Sequence, residues 1–330
     1  MQELAIYKDF DLQGVIKNYE LIWHRRFNDV GDYTLKISPS KESVELIKSG
    51  NIIRKGDEAA FIENLESTRE SDGRVTLNVT GRFLSAMLAW RIIFLTMNGT
   101  TDTVTGAILN QNFISPQDHT RRIGNFTIKN LTVKNAVTAR IEETGRLALD
   151  CIRELTQNAK VGFKVDFNVE GKTFDFSLYE GKQTKVIFTE PHRNILVQDY
   201  LYETRDYRNT VYLRSGNNTT VFGGENTGIN RREIFATTNT SNTDPLADQA
   251  QAVLNRHRKI ENLDSVVNMQ SLQDVYRTDW DLGEIVKNHS TFWQTTIDRN
   301  ILEVTEYYEN KQLTLALVFG DIPNFAMERR

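Results

Sequence analysis

At 330 residues the chain has room for two or three domains, and with 39% apolar and 25% charged residues it reads as a water-soluble globular protein, not a disordered one. Forty basic residues against 44 acidic ones leave a net charge of −4, which excludes a global attraction to nucleic acid or anionic membrane. Cys151 is the single cysteine, so an internal disulfide framework is excluded, a cysteine-based zinc site is not expected, and a reducing cytosol is the expected place of synthesis.

The opening MQELAIYKDFDLQG has early acids and no apolar h-region, so no secretory signal is expected there. LAIYKDFDLQGVI (4–16) reads as two short strands around a polar turn. In 19–40 a strand, a turn at Asn28–Gly31 and a second strand follow, the latter with Tyr33, Leu35 and Ile37 on one face. NIIRKG (51–56), AAFIENLESTRE (59–70) and RVTLNVTGR (74–82) bring the run to about six strands, with a tight turn at Glu70–Gly73. Antiparallel strands joined by polar turns predict a small barrel or sandwich. The apolar run AMLAWRIIFL (86–95) is interrupted by Arg91 and is too short to span a bilayer.

The texture then becomes α+β. DTVTGAILN (102–110) spaces Val104, Ala107 and Ile108 as a helix does. TGRLALDCIRELTQ (144–157) places Leu147, Cys151 and Leu155 on one stripe, beside Ala148 and Ile152. VGFKVDFNV and KTFDFSLYE alternate through Phe163, Val165, Phe167 and Val169, then Phe174, Phe176 and Leu178. With Glu170–Gly171 between them they predict a hairpin packed on that helix. Strands return at 193–204, 208–214 and 230–237. SGNNTT (215–220) and TTNTSNT (237–243) read as exposed loops. A helix follows, with Asp244 as N-cap, Pro245 at its first position, and Leu246, Ala250, Val253, Leu254 and His257 as its stripe. Strands at 281–288, 291–300, 301–309 and 313–321 close the chain.

Two distant stretches share a pattern. In FIENLESTRESDGRVTLNVTG and NILEVTEYYENKQLTLALVFG, Ile62 and Leu65 match Ile301 and Val304, and Val75, Thr76 and Leu77 match Leu313, Thr314 and Leu315. The alternatives are chance likeness of two hairpins or a duplicated module. Leu313, Leu315, Leu317 and Phe319 require a core or a partner, since burial is worth about 1.5–3 kcal/mol for each.

Chemistry is sparse. His24, His119, His192, His257 and His289 form no i, i+4 pair and no HExxH, so no metal site is predicted. Cys151 belongs to an apolar stripe and reads as a buried structural thiol. GGENTG (223–228) has strands on both sides and no following GK[ST], so it reads as a β-loop and not a phosphate loop. Ser115, Asp118 and His119 are close in sequence but lack the distant assembly of a triad. The acid pairs Glu63/Glu66 and Glu303/Glu306 are read as solvated or cross-strand paired. The doublets Arg25–Arg26, Arg121–Arg122 and Arg231–Arg232, and HRK at 257–259, are read as interface ion pairs. No catalytic, cofactor or metal residue is assigned; a chain of this kind is expected to be a scaffold or binding part.

ELIWHRRFNDVGDYTLKISPS (20–40), VTGRFLSAMLAWRII (79–93), ILVQDYLYETRDYRNTVYL (195–213), TGINRREIF (227–235) and DLGEIV (281–286), with the closing EVTE…LTLALVFG, together resemble siphophage-type tail proteins of the ReqiPepy-like family. The stretch around Trp23–Tyr33 and the segment 228–235 carry the resemblance most specifically. It implies a β-rich α+β hub fold with two tube-type β-barrels and α+β insertions. The implied division is a first barrel at 1–90, an insertion at 91–188, a second barrel from 189–240 and 262–330, and a helical insertion at 241–261. The implied role is structural: the homotrimeric hub of a tail tip or baseplate, in a virion tail assembled in the host cytoplasm. Its implied partners are a distal tail or tail-tube protein, the tape-measure protein and a spike or fibre, with DNA only as cargo and no membrane span. The chain stops ten residues after Gly320, so no appended lysin region is expected. A tail-associated peptidoglycan hydrolase or endopeptidase would need convergent carboxylates or a Cys/His pair. A wall-glycan module would need exposed aromatics such as Trp90 or Phe113.

Overall fold

The computed structural model describes residues 3–134, 136–238, 246–269, 274–310 and 312–320. The described residues fall into two compact units, one drawn from 3–198 and 264–319, the other from 199–263 with Gly320.

The first unit opens with β1 (Leu4–Lys8), β2 (Asp11–Ile16), β3 (Glu20–Arg26), β4 (Asp32–Ile37), β5 (Ile52–Lys55), β6 (Glu58–Phe61), β7 (Asn64–Arg69) and β8 (Val75–Arg82). Eight strands stand where the sequence suggests six. The extra count arises partly because AAFIENLESTRE divides at Ile62–Glu63: β6 pairs with β5, whereas β7 pairs with β8. A short helix that the sequence reading omits, α1 (Lys41–Leu46), is capped by Ser40 and Ser43, each side chain accepting from the other's backbone N–H.

Strands β2–β1–β5–β6 form one sheet, and β3–β4–β8–β7 belong to a larger one. Alternation puts Leu4 and Ile6 of the first, and Leu21, Trp23, Leu35 and Val79 of the second, into one shared core. The expected closed barrels are not found: the sheets are open. Among the described residues the backbone pairing of β6 with the segment after β8 is limited to an isolated Ala60–Phe83 bridge, and all six residues of β7 are exposed. A strand with no apolar face to bury gives its edge no reason to close within this chain.

A 3-10 turn, Leu84–Trp90, leads to β9 (Ile92–Thr100), α2 (Thr101–Leu109), β10 (Phe126–Asn130), β11 (Thr138–Leu147), α3 (Ala148–Ala159), β12 (Gly162–Asn168) and β13 (Thr173–Tyr179). The predicted hairpin is β12–β13, and Cys151, Ile152 and Leu155 of α3 share its core with Phe163 and Phe176. The helix begins four residues later than the sequence suggests. Residues 138–147 are held in an antiparallel ribbon with β9, so Leu147 ends a strand and is exposed.

After β14 (Gln183–Thr189) and β15 (Ile195–Glu203), the second unit contains β16 (Thr210–Ser215), β17 (Asn218–Phe222), β18 (Glu233–Thr238) and α4 (Leu246–Arg256). Its sheet runs β17–β16–β18, and Val211, Leu213 and Ala250 centre its core with Leu246, Val253 and Leu254. SGNNTT is only partly loop, since β17 starts at Asn218. Thr237 and Thr238 end β18, while 239–243 of the second expected loop lie outside the described residues, as do the expected N-cap Asp244 and Pro245.

The chain ends in β19 (Ile260–Val267), β20 (Ile285–Ser290), β21 (Thr295–Glu309) and β22 (Gln312–Phe319). Residues 295–309 form one strand of 15 residues, not parts of two. Without Gly or Pro to break it, β21 changes partner instead, pairing with β20 first and with β22 and β3 later. Leu315, Leu317 and Phe319 are buried and Leu313 packs at the margin. The large sheet therefore reads β15–β19–β22–β21–β3–β4–β8–β7.

Candidate functional site: the seam between two matched sheets

The large sheet contains one pattern twice. From its free edge it runs β7–β8–β4–β3 and continues β21–β22–β19–β15. Exchanging β3, β4, β7 and β8 for β15, β19, β21 and β22 preserves both the spatial order and the chain order. The register also agrees. Leu65 faces Val79 as Val304 faces Leu317. Val79 and Leu77 then face Leu35 and Ile37, as Leu317 and Leu315 face Ser265 and Val267.

The hairpins that precede β7 and the later part of β21 match bond for bond. Gly50 N donates to Ile62 O at 2.9 Å and Ile62 N to Asn51 O at 2.8 Å. Gly283 N donates to Ile301 O at 2.8 Å and Ile301 N to Glu284 O at 2.9 Å. Both glycines sit in the left-handed region, at φ +89° and +85°, where a side chain would be strained. One departure lies further out: β1 runs antiparallel to β5, but β14 runs parallel to β20.

The halves join where β21 pairs with β3, with Glu303 opposite Arg26 and Glu306 opposite Trp23. A buried ionic network lies against this seam. Lys55 Nζ sits 2.6 Å from Glu306 Oε2, their side chains only 2% and 0% exposed. Glu306 also accepts from Tyr276 and Tyr308 hydroxyls, both at 2.7 Å, and from Arg277 at 3.0 Å. Arg25 bonds Glu58 and reaches Asp281 at 2.5 Å. Glu58 accepts in addition from Trp23 Nε1 and from Arg277, each at 2.9 Å. Three cations (Lys55, Arg25, Arg277) thus meet three carboxylates (Glu58, Asp281, Glu306), and the exposed Asp57 pairs with Arg277 at the rim.

Burial opposes ionisation of Glu306, yet the Lys55 and Arg277 charges with their hydrogen bonds bring its carboxyl down to about 2. Glu58 is lowered likewise, Arg25 and Arg277 prevailing over burial. Burial pushes the Tyr276 and Tyr308 hydroxyls up, and the Glu306 charge adds to it. Every polar group here serves another group of the network. The pairing ties β3, β5, β6 and β21 together.

At the far ends of the sheet stand two edges. β7 is exposed throughout, and β15 exposes Leu196, Val197, Leu201 and Tyr202. Such edges are ready templates for another strand.

The Siphovirus ReqiPepy6 Gp37-like family model matches residues 4–321. The chain belongs to that family. No curated protein sequence matches this Gp37-like chain. Among solved structures it is similar to the 43 kDa tail protein of prophage MuSo2 from Shewanella oneidensis, with a TM-score of 0.68 at 14% identity, over 99% of this chain and 100% of that one. A tail protein from Neisseria meningitidis MC58 gives 0.65 at 12% identity, over 97% and 96%. The E. coli c3393 protein, described as a type VI secretion component similar to the T4 tail proteins gp27 and gp5, gives 0.51 at 11%, over 97% and 77%. At these identities the likeness is one of fold, and the fold is that of phage tail proteins.

The residues weighed from the Gp37-like sequence are scattered. Cys151 is buried in α3. Asp118 caps a 3-10 turn through Thr120 N, and GGENTG lies between β17 and β18. Phe113 is buried, while Trp90 is half exposed and packs its ring 5.1 Å from Phe61. Arg26 pairs with Glu303 at 2.7 Å and Glu63 with Arg82, as cross-strand pairing predicts. Arg25 and Glu306 are both buried: Arg25 of the doublet read as interface ion pairs is paired inside the chain with Glu58 and Asp281, and Glu306, read as solvated or cross-strand paired, is paired with Lys55. Neither is legible from its own neighbours, because their partners lie about 250 residues away in the sequence. Among the described residues no three ligating side chains gather as a metal site, and no helix is long and apolar enough to cross a membrane.

Proposed function

We propose that this chain is the hub of a phage tail tip or baseplate, or of a related phage-tail-like particle, and that it works as a homotrimer. One observation carries the reading: the two halves of the sheet repeat in strand order and register and are already joined edge to edge through β3 and β21. β15 occupies the place of β3, and β7 the place of β21. The free β15 edge of one copy therefore suits the free β7 edge of the next, and repetition of the β3–β21 joint generates a ring. Three chains supply six like sheets, which lets a threefold object continue a sixfold tube.

In this reading the strands of 1–90 form the first tube module. β15 and β19–β22 form the second, in 189–240 and 262–330 with β19 beginning two residues earlier, at Ile260. The insertion that follows residue 90 and helix α4 lie outside the ring, whereas β14, at the end of the 91–188 block, packs Val186 and Phe188 into the core of the second module. The ring joins a distal tail or tail-tube protein to a spike or fibre and surrounds the path of tape-measure protein and DNA. Its work is structural, and its place is the virion tail, with assembly in the host cytoplasm.

The test is mass and connectivity. Light scattering should give three times 38.0 kDa, about 114 kDa, alone or on adding a neighbouring tail protein. Ser67→Cys on β7, combined with single cysteines scanned along 196–202, should give disulfide-linked dimers and trimers and nothing larger. An open ladder, or a closed hexamer, refutes the ring.

A further inference from the structure

The matched hairpins differ at one place. Between Lys55 and Glu58, which pair, the first hairpin turns in two residues, Gly56 and Asp57. The equivalent residues of the second, Asn288 and Ile297, also pair, but eight residues lie between them. The added six lengthen each arm by about three residues, roughly 10 Å at strand rise. The extension is ordered: His289 and Ser290 continue the ladder to Thr296 and Thr295, and Thr291 N donates to Glu190 Oε2 at 3.2 Å. Its tip carries Phe292 and Trp293, 80% and 54% exposed, with ring centroids 5.1 Å apart in an edge-to-face pair. The short hairpin ends instead in charge, with Asp57 and Glu58 bonded by Arg277.

We infer that the Phe292–Trp293 tip is the docking element for a threefold partner, a homotrimeric protein presenting three apolar pockets. The inference rests on the trimeric reading. Features that both sheet halves share recur six times in such a ring and suit a sixfold neighbour. A feature built on one half recurs three times, and a sixfold partner would leave half its sites empty. At these exposures the aromatic pair offers roughly 200–350 Å² of contact surface. Three tips supply about 600–1,000 Å², a range that includes the ~800 Å² per partner of a specific interface. A rigid hairpin presents this surface with little ordering cost on binding.

The experiment uses intact tails. A photo-crosslinking benzoylphenylalanine replaces Phe292, purified tails are irradiated, and the captured protein is identified by mass spectrometry and weighed by native mass spectrometry. A captured homotrimer, absent from tails built with Phe292→Ala/Trp293→Ala, supports the inference. Capture of a sixfold ring protein, capture of this chain itself, or no capture overturns it. Light scattering of the double variant keeps the two readings apart. If it stays at the parental trimer mass, the ring is independent of the tip. If the trimer is lost, the tip is a contact between copies and the inference fails. A parent chain that never forms a trimer refutes the ring instead.

Discussion

Replacing Glu306 with glutamine tests whether the seam is held by charge. The amide keeps the shape of the side chain and can still accept from the tyrosines, but it leaves Lys55 buried without the carboxylate 2.6 Å away. Breaking a fully buried pair from one side costs about 3–5 kcal/mol, most of it the cost of the stranded charge. At this chain size 1 kcal/mol corresponds to roughly 2 °C, so thermal melting should fall by roughly 6–10 °C. Lys55→Met alone should cost a similar amount, while Lys55→Met/Glu306→Gln should recover much of the loss, because the strandings cancel. Acid titration gives a second reading. The Glu306 carboxyl lies at about 2 when folded, below its usual 4.5. Folding therefore favours its ionised form. The stabilisation, on the order of 3 kcal/mol, is complete above about pH 4.5 and is lost as pH falls from there toward 2. The parent should lose stability across that window and the Glu306→Gln variant should show a shallower acid limb. Additive single and double variants, or a fall of less than about 2 °C in Glu306→Gln, would show that the network carries no such weight.

The equivalent glycines should respond unequally to alanine. At Gly50 a Cβ meets nothing within 4 Å, so only the left-handed backbone is penalised, by about 1 kcal/mol; at Gly283 the Cβ would stand 2.4 Å from the buried Phe27 ring, and melting should show a clearly larger loss. Cys151, at 2% exposure in α3, should resist iodoacetamide in the native protein and react fully in guanidinium; rapid native labelling would contradict the packing of that helix.

What was legible in the sequence was what is local. Alternation through Tyr33, Leu35 and Ile37 and through Phe163, Val165 and Phe167 reports strands with one buried face, and the structure has them there. The likeness of 62–82 to 301–321 marked the repeat, because both hairpins must present Leu or Val to a core at the same register. The β9–β11 ribbon was not legible, since its pairing partner lies about 40 residues away and decides where α3 can begin. The ionic network was invisible for a stronger reason. Lys55, Glu58, Arg25 and Glu306 are ordinary strand residues until the fold brings β3, β5, β6 and β21 together, and period-2 patterning takes a charged position to be a solvated one.

The two kinds of joint in the proposed ring need different chemistry, and the equivalent positions differ accordingly. The joint within the chain forms once, during folding, when Lys55 and Glu306 enter the interior together with all their partners. At the joint between copies, Asn288 stands in the place of Lys55 and Ser67 in the place of Glu306. Asn288 is buried and already accepts from Gln198 at 2.9 Å, whereas Ser67 is exposed on β7. Bringing a lysine and a glutamate together there would require two folded chains to strip water from full charges on meeting, at several kcal/mol per ion. Neutral side chains and backbone ladder bonds avoid that cost. They also leave register less tightly specified than a network does, since a one-residue slip at β3 would turn Arg25 away from Glu58 and Asp281. The inner joint is then the one that fixes the spacing of the two sheets. On the proposed reading the outer joint forms reversibly, and the ring closes when the third copy completes the turn.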